Sequence, residues 1–153
     1  METSSGFVLI DKSGRILGCH ATGKPNDYGY DFPKGHVEPD ETHFEAALRE
    51  LKEETNLTIE ELDGVSDYII DCGVYPHTKK KNIHLYIYPL NEFPDLNKLK
   101  CTTYFTTKDG NNILEMDGYK IISKDERKMF NRALWDKFDL IDDLNSRVEY
   151  DIV

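Results

Sequence analysis

Residues 35–57 read GHVEPDETHFEAALRELKEETNL, and the reading of this stretch decides the fold. Thr42 has the character of a helix N-cap, and Glu45 three residues later completes a capping box. No Pro or Gly interrupts the chain from there to Thr55, and Ala, Leu, Glu, Lys and Arg are good helix formers. At about 100° per residue, Phe44, Leu48, Leu51 and Thr55 fall on one side, which should face a core. Glu50, Glu53 and Glu54 stand at i, i+3 and i+4 on a different side, with the small Ala46 and Ala47 one turn earlier. Like charges at this spacing cost about 0.2–0.5 kcal/mol per pair. A divalent cation would reverse that cost, and carboxylates suit Mg²⁺ or Mn²⁺. The plainer alternative is a solvated acidic face in a chain of net charge −10.

The spacing argues against that alternative. Gly35 is followed by Glu41, then by Arg49-Glu50-Leu51-Lys52-Glu53-Glu54, then by an apolar Leu57. This pattern resembles the Nudix box, with Asn56 where its second glycine is usual. Average residue frequencies put an accidental match at roughly one chain per million. The departure is mild, because Asn also tolerates the left-handed conformation that ends a helix.

The resemblance implies an α/β fold, an α/β/α sandwich with a mixed sheet between helices. It implies a hydrolase that cleaves nucleoside diphosphates linked to another group, using water and Mg²⁺ or Mn²⁺. Glu50, Glu53 and Glu54 match the family's metal-ligand positions, and Glu50 is the first candidate for the general base. Arg49 beside them is expected to orient a carboxylate by a bidentate hydrogen bond. Glu41 is expected to supply an outer ligand or to hold the loop. Gly35 is expected to adopt a backbone conformation closed to other residues, so that the loop turns back over the helix.

Outside the box, Glu115 and Tyr119 precede the last strand and helix in a spacing similar to the diadenosine tetraphosphate hydrolase branch of the family. By that resemblance Glu115 is a further metal ligand or the base, with Asp117 a poorer candidate. The run Asp31-Phe32-Pro33-Lys34-Gly35-His36 is similar to the entry of that branch, and Lys34 is a candidate phosphate contact. Lys79, Lys80 and Lys81 follow Tyr75 in the one dense basic cluster and are candidates to hold distal phosphates or an RNA 5′ end. Tyr28, Tyr30, Tyr75 and Tyr86 are candidates for contact with a nucleotide, aromatic faces being sequence-tolerant stacking platforms. His84 and Trp135 read as structural.

At 153 residues, with 39% hydrophobic content, the chain is expected to form one domain spanning 1–153. Its pI of about 4.9 argues against DNA or non-specific nucleic-acid binding, though not against an anionic substrate met by a metal. Cys19, Cys72 and Cys101 are odd in number and widely spaced, which fits free thiols in a reducing compartment. Without a signal-like start or an apolar run of 18 residues, the expected location is cytoplasmic, as a monomer or homodimer. The substrates left open are dinucleoside polyphosphates first, then ADP-ribose, flavin adenine dinucleotide, a nucleoside triphosphate or an RNA 5′ end. A nucleotide-sensing module without turnover is the competing class, and the intact carboxylates and Arg49 argue against it.

The elements expected around the box are a hairpin (6–10 with 15–19), strand pieces at 68–70 and 74–75, and a strand over 82–90 covered on both faces. A strand over 100–106, a turn at 109–112 and a strand over 119–122 follow. A last helix is expected from Ser123 or Asp125, with Met129, Phe130, Ala133, Leu134 and Phe138 as its apolar stripe.

Overall fold

The computed structural model describes residues 1–66 and 68–150. Strand β1 (Glu2–Ile10) turns through Gly14, whose φ is 83°, into β2 (Ile16–Ala21). Short strands β3 (Tyr30–Asp31) and β4 (Lys34–His36) add to β2 and β1. The box then forms α1 (His43–Thr55), followed by β5 (Asp63–Gly64), β6 (Ile70–Thr78) and β7 (Lys81–Glu92). A two-stranded hairpin of β8 (Tyr104–Thr106) and β9 (Asn112–Leu114) leads into β10 (Met116–Ile122), and α2 (Phe138–Ser146) closes the order. The main sheet runs β10-β2-β1-β7-β5, with β3, β4 and β6 paired at its sides. It is mixed, because β1 and β7 are parallel along Glu2–Ile10 while the other pairs are antiparallel.

Strand β7 explains the layering. Residues 83–90 are all buried, so both faces are covered. Ile83, Leu85 and Ile87 pack under α2 with Phe32, Phe130, Leu134 and Ile141. On the opposite face Tyr86, Tyr88 and Leu90 pack with Phe7, Leu9, Ala47 and Leu51 beneath α1. The sandwich expected from the sequence is the observed one.

Helix α1 has the predicted ends. Thr42 accepts from the Glu45 amide and Glu45 accepts from the Thr42 amide. Asn56 ends the helix at φ 63° and ψ 18°, in the left-handed region. Leu51 and Thr55 are fully buried, and Phe44 and Leu48 pack at the margin of the core.

Three expectations need correction. The pieces at 68–70 and 74–75 are one strand, β6, which starts only at Ile70 and bulges between Asp71 and Val74. Of 100–106 only 104–106 is strand, because residues 100–103 cap the end of α1 instead. The last helix does not run on from Ser123. Two 3-10 turns, Lys124–Met129 and Arg132–Lys137, precede α2. The break falls at Phe130, which turns extended to bridge to Tyr30 while the Asn131 amide donates to the Tyr30 carbonyl. Phe130, Leu134 and Phe138 are buried as expected, but Ala133 is exposed.

The left-handed Asn56 gives a direct test. Asn56→Gly should leave stability within about 0.5 kcal/mol, whereas Asn56→Val should cost about 1–2 kcal/mol. Urea unfolding measures both, and equal costs would mean that the cap conformation does not matter.

Candidate active site

The C-terminal end of α1 is clasped by chain from far away in sequence. Thr102 donates both its amide (2.7 Å) and its hydroxyl (2.9 Å) to the Glu53 carbonyl. The Tyr119 hydroxyl donates to the Glu54 carbonyl at 2.5 Å, and the Lys100 amide to the Thr55 carbonyl at 3.3 Å. Carbonyls that a helix normally leaves to water are thus satisfied by protein. The same segment carries the Thr103 carbonyl, which accepts from the Glu115 amide at 3.1 Å. The loop of Glu115 is therefore tied to the helix that bears Glu53 and Glu54.

At the other side Arg49 spreads over four acceptors. Its guanidinium holds Glu41 bidentately, at 2.7 and 3.1 Å. It reaches the Glu50 and Glu53 carboxylates at 2.9 and 3.2 Å, and the His36 carbonyl at 2.7 Å. Arg49 thereby holds the Glu41 carboxyl below its ordinary pKa. Glu41 in turn accepts from the Glu38 amide at 2.8 Å, so it holds the loop, as one of its two expected roles required.

Gly35 is needed for a different reason from the one expected. It lies in β4 and has no positive φ. A Cβ there would stand 2.1 Å from Glu50 Oε1. The glycine is the space into which the Glu50 carboxyl fits.

Glu54 is 2% exposed and its Oε2 has no hydrogen-bond partner. Burial, then the Asp31 and Glu50 charges, push its pKa up to about 10, against the opposing pull of Lys34. Burial and the Glu53 charge also raise Glu50, against the pull of Arg49. Taking a carboxylate out of water without a partner is costly, and such groups neutralise unless a cation arrives. Hard oxygen donors of this kind fit a divalent ion, and Glu50, Glu53 and Glu54 are the residues that would hold it. Glu53 leans on Arg49 instead, and among the described residues no three His, Cys, Asp or Glu side chains stand together as a finished metal cage. The donors fit; their present arrangement is not closed around an ion.

Lys34 pairs with Asp31 at 3.2 Å, and its charge opposes the rise of the Glu54 pKa. Glu115 is half-buried, and among the described residues its carboxylate makes no hydrogen bond to Glu50, Glu53 or Glu54. Asp117 is engaged by His20. Tyr75 is 41% exposed on β6, with Lys79 on the exposed turn beyond it and Lys81 half-buried at the start of β7.

Two stacking candidates do other work. Tyr86 lies in the core under α1, against Phe7, Phe44 and the His84 ring, so it is no platform for a base. Tyr28 accepts from the Arg132 amide at 2.9 Å and secures the second 3-10 turn. Tyr30 is likewise buried.

Thr102 was missed by sequence reasoning, since nothing in its neighbours signals that it bonds a helix end 49 positions away.

The pKa of Glu54 sets a pH dependence. Its folded value lies above its unfolded one, so its contribution to stability is fully present below about pH 4.5 and is lost as pH rises toward 10. Mg²⁺ should therefore raise the melting temperature more at pH 8 than at pH 5.5, and Glu54→Gln should abolish most of that difference. A metal-induced rise that is independent of pH would contradict this. Gly35→Ala should displace Glu50 and weaken Mn²⁺ binding by at least about 10-fold, read by electron paramagnetic resonance of free Mn²⁺.

Comparison with known proteins agrees with this geometry. A model of the NUDIX domain matches residues 2–120. The chain is 33% identical over 123 residues to a 17.7 kDa protein of the e-segB intergenic region of Enterobacteria phage T4, covering 77% of this chain and 78% of that one. It is 38% identical over 94 residues to the asymmetrical bis(5′-nucleosyl)-tetraphosphatase of Caenorhabditis elegans, covering 61% of this chain and 68% of that one. A crystal structure of a C. elegans Ap4A hydrolase binary complex has the same fold, with TM-score 0.64 and 24% identity over 97% of this chain and 100% of that one. With the box residues in register on α1 and the family match spanning most of its length, the chain belongs to the Nudix hydrolases.

Proposed function

We propose that this hydrolase cleaves the diphosphate linkage of a nucleoside polyphosphate, with dinucleoside polyphosphates as its preferred class. The observation that carries the reading is Glu54, a buried carboxyl with an unpartnered oxygen beside Glu50. We read 1–153 as one functional unit. A divalent ion, Mg²⁺ or Mn²⁺, held by Glu50, Glu53 and Glu54 would neutralise phosphate oxygens and lower the pKa of a bound water.

This chain's residues do the rest. Glu50, with its pKa raised by burial, accepts the proton of the attacking water. Arg49 fixes the Glu50 carboxylate and ties the Glu41 loop to the helix. Lys34 contacts the phosphate chain as a point charge. Glu115 is the alternative base, brought toward α1 by its amide contact with Thr103. Tyr75, exposed on β6, offers its ring to a base. The lean toward dinucleoside polyphosphates is supported by the tetraphosphatase relative and by the run from Pro33 to His36.

A second reading, an RNA 5′ end, is favoured by the exposed Lys79 and Lys80 at the β6–β7 turn, which extend positive charge away from the carboxylates. Among the described residues no helix is long and apolar enough to cross a membrane.

Glu53→Gln and Glu54→Gln should each lower kcat by at least about 100-fold, because each weakens transition-state charge stabilisation. Steady-state kinetics on a substrate panel with Mg²⁺ checks this. Two folded variants with near-native turnover would remove the site assignment. Turnover in heavy-oxygen water, with mass analysis of the products, identifies the phosphorus attacked.

A further inference from the structure

Two neighbouring aromatic rings on β8, Tyr104 and Phe105, are 60% and 41% exposed. They stand on an arm outside the main sheet, because β8 and β9 form a two-stranded sheet of their own. Such a hairpin is marginal by itself. This one is held at its root, beside the box helix. Thr102 bonds the Glu53 carbonyl of α1, and the Thr22 amide donates to the Glu115 carbonyl at 3.0 Å.

The strand register assigns each ring a face. Tyr104 opposes Leu114, Phe105 opposes Ile113 and Thr106 opposes Asn112. The ladder continues at both ends. The Glu115 amide donates to the Thr103 carbonyl at 3.1 Å, and the Thr107 amide to the Asn111 carbonyl at 2.8 Å. One register therefore runs from the pair Thr103–Glu115 to the pair Thr107–Asn111. Successive side chains on a strand point to opposite faces. Thr103, Phe105 and Thr107 thus share a face with Glu115, Ile113 and Asn111. Tyr104 and Thr106 share the other with Leu114 and Asn112, where the Thr106 hydroxyl meets the Asn112 side chain at 2.9 Å. Phe105 and Glu115 are diagonal neighbours on their face, a spacing of about 7–8 Å that an aromatic side chain spans. Apart from Glu115 that face carries no charge.

We propose that Phe105 stacks on a nucleobase of the bound substrate, so that the β8–β9 arm grips the nucleoside on the face it shares with Glu115. The inference rests on the reading of Glu115 as part of the pyrophosphohydrolase site and adds a base-binding residue to it. An aromatic face accepts any base, so this grip ranks nucleotides above bare phosphate chains without choosing among bases. One exposed ring over the half-buried Ile113 matches a single base. It is far smaller than the contiguous apolar patches, on the order of several hundred Å², that mark protein docking surfaces. A dinucleoside polyphosphate carries two bases, so Phe105 adds to the ring of Tyr75 rather than replacing it.

Phe105→Ala and Tyr104→Ala make a matched pair, since both rings are exposed and only one shares the face of Glu115. Phe105→Ala should raise KM for diadenosine tetraphosphate by at least about 5-fold and leave kcat within about 2-fold of wild type. Tyr104→Ala should move neither by more than about 2-fold, and Phe105→Tyr should keep the wild-type KM. A KM unchanged in Phe105→Ala, as when the ring serves a second copy and only dimerisation in the ultracentrifuge is lost, overturns the proposal. So does a KM raised equally by both alanine variants. A fluorescence titration of Phe105→Trp separates this failure from failure of the catalytic reading. AMP should quench the added tryptophan above the background of Trp135, and ribose 5-phosphate, which lacks the base, should not. That difference supports stacking even if no nucleotide is hydrolysed, and the same response to both ligands sinks it.

Discussion

A glutamate carboxyl held inside the protein with one oxygen unpartnered is the constraint on which the rest of this molecule turns. Glu54 lies beside a second buried carboxyl, Glu50, at the point where α1 crosses β4. Neither would choose that place in isolation, since burial disfavours their charged forms, the Glu53 charge adding to the rise at Glu50 and the Asp31 and Glu50 charges to the rise at Glu54. The surrounding fold makes the arrangement inescapable. Leu51 and Thr55 anchor the adjoining side of α1 in the core, so the helix cannot roll the carboxyls into water.

Several separate devices keep that helix in register. Gly35 leaves room for the Glu50 carboxyl, which any Cβ would displace. Arg49 links the Glu41 loop, the His36 carbonyl and two box carboxylates through one guanidinium. Thr102 and Tyr119 take up the carbonyls of Glu53 and Glu54. A preorganised set of oxygens costs little further ordering when charge must be met, which is why such sites stabilise transition states well. The clasp also connects the helix that carries Glu53 and Glu54 to the loop of Glu115.

The local features were the legible ones. The capping box at Thr42, the left-handed end at Asn56 and the two-sided burial of β7 follow from patterns a few residues long. The box spacing made the carboxylate face readable too. What escaped depends on chain distant in sequence. Tyr86 alternates as a strand residue must, but only the packing of α1 over β7 decides that its ring is core rather than platform. The helix foreseen from Ser123 has good propensity and a real capping box, yet the bridge from Phe130 to Tyr30 overrides both. Gly35 was recognised as necessary for the wrong cause, because a close approach by a side chain fifteen positions away leaves no mark on local backbone preference. Thr102 looks like an ordinary polar residue until the carbonyl it bonds is known.

The central claim is that Glu54 keeps a proton when no metal is present and gives it up to the ion. Isotope-edited infrared difference spectroscopy at pH 8 tests it most directly. A protonated-carboxyl band should be present in metal-free protein, vanish on addition of Mg²⁺, and be missing from Glu54→Gln. A wild-type spectrum with no such band before Mg²⁺, or one in which the band survives saturation, would contradict the account.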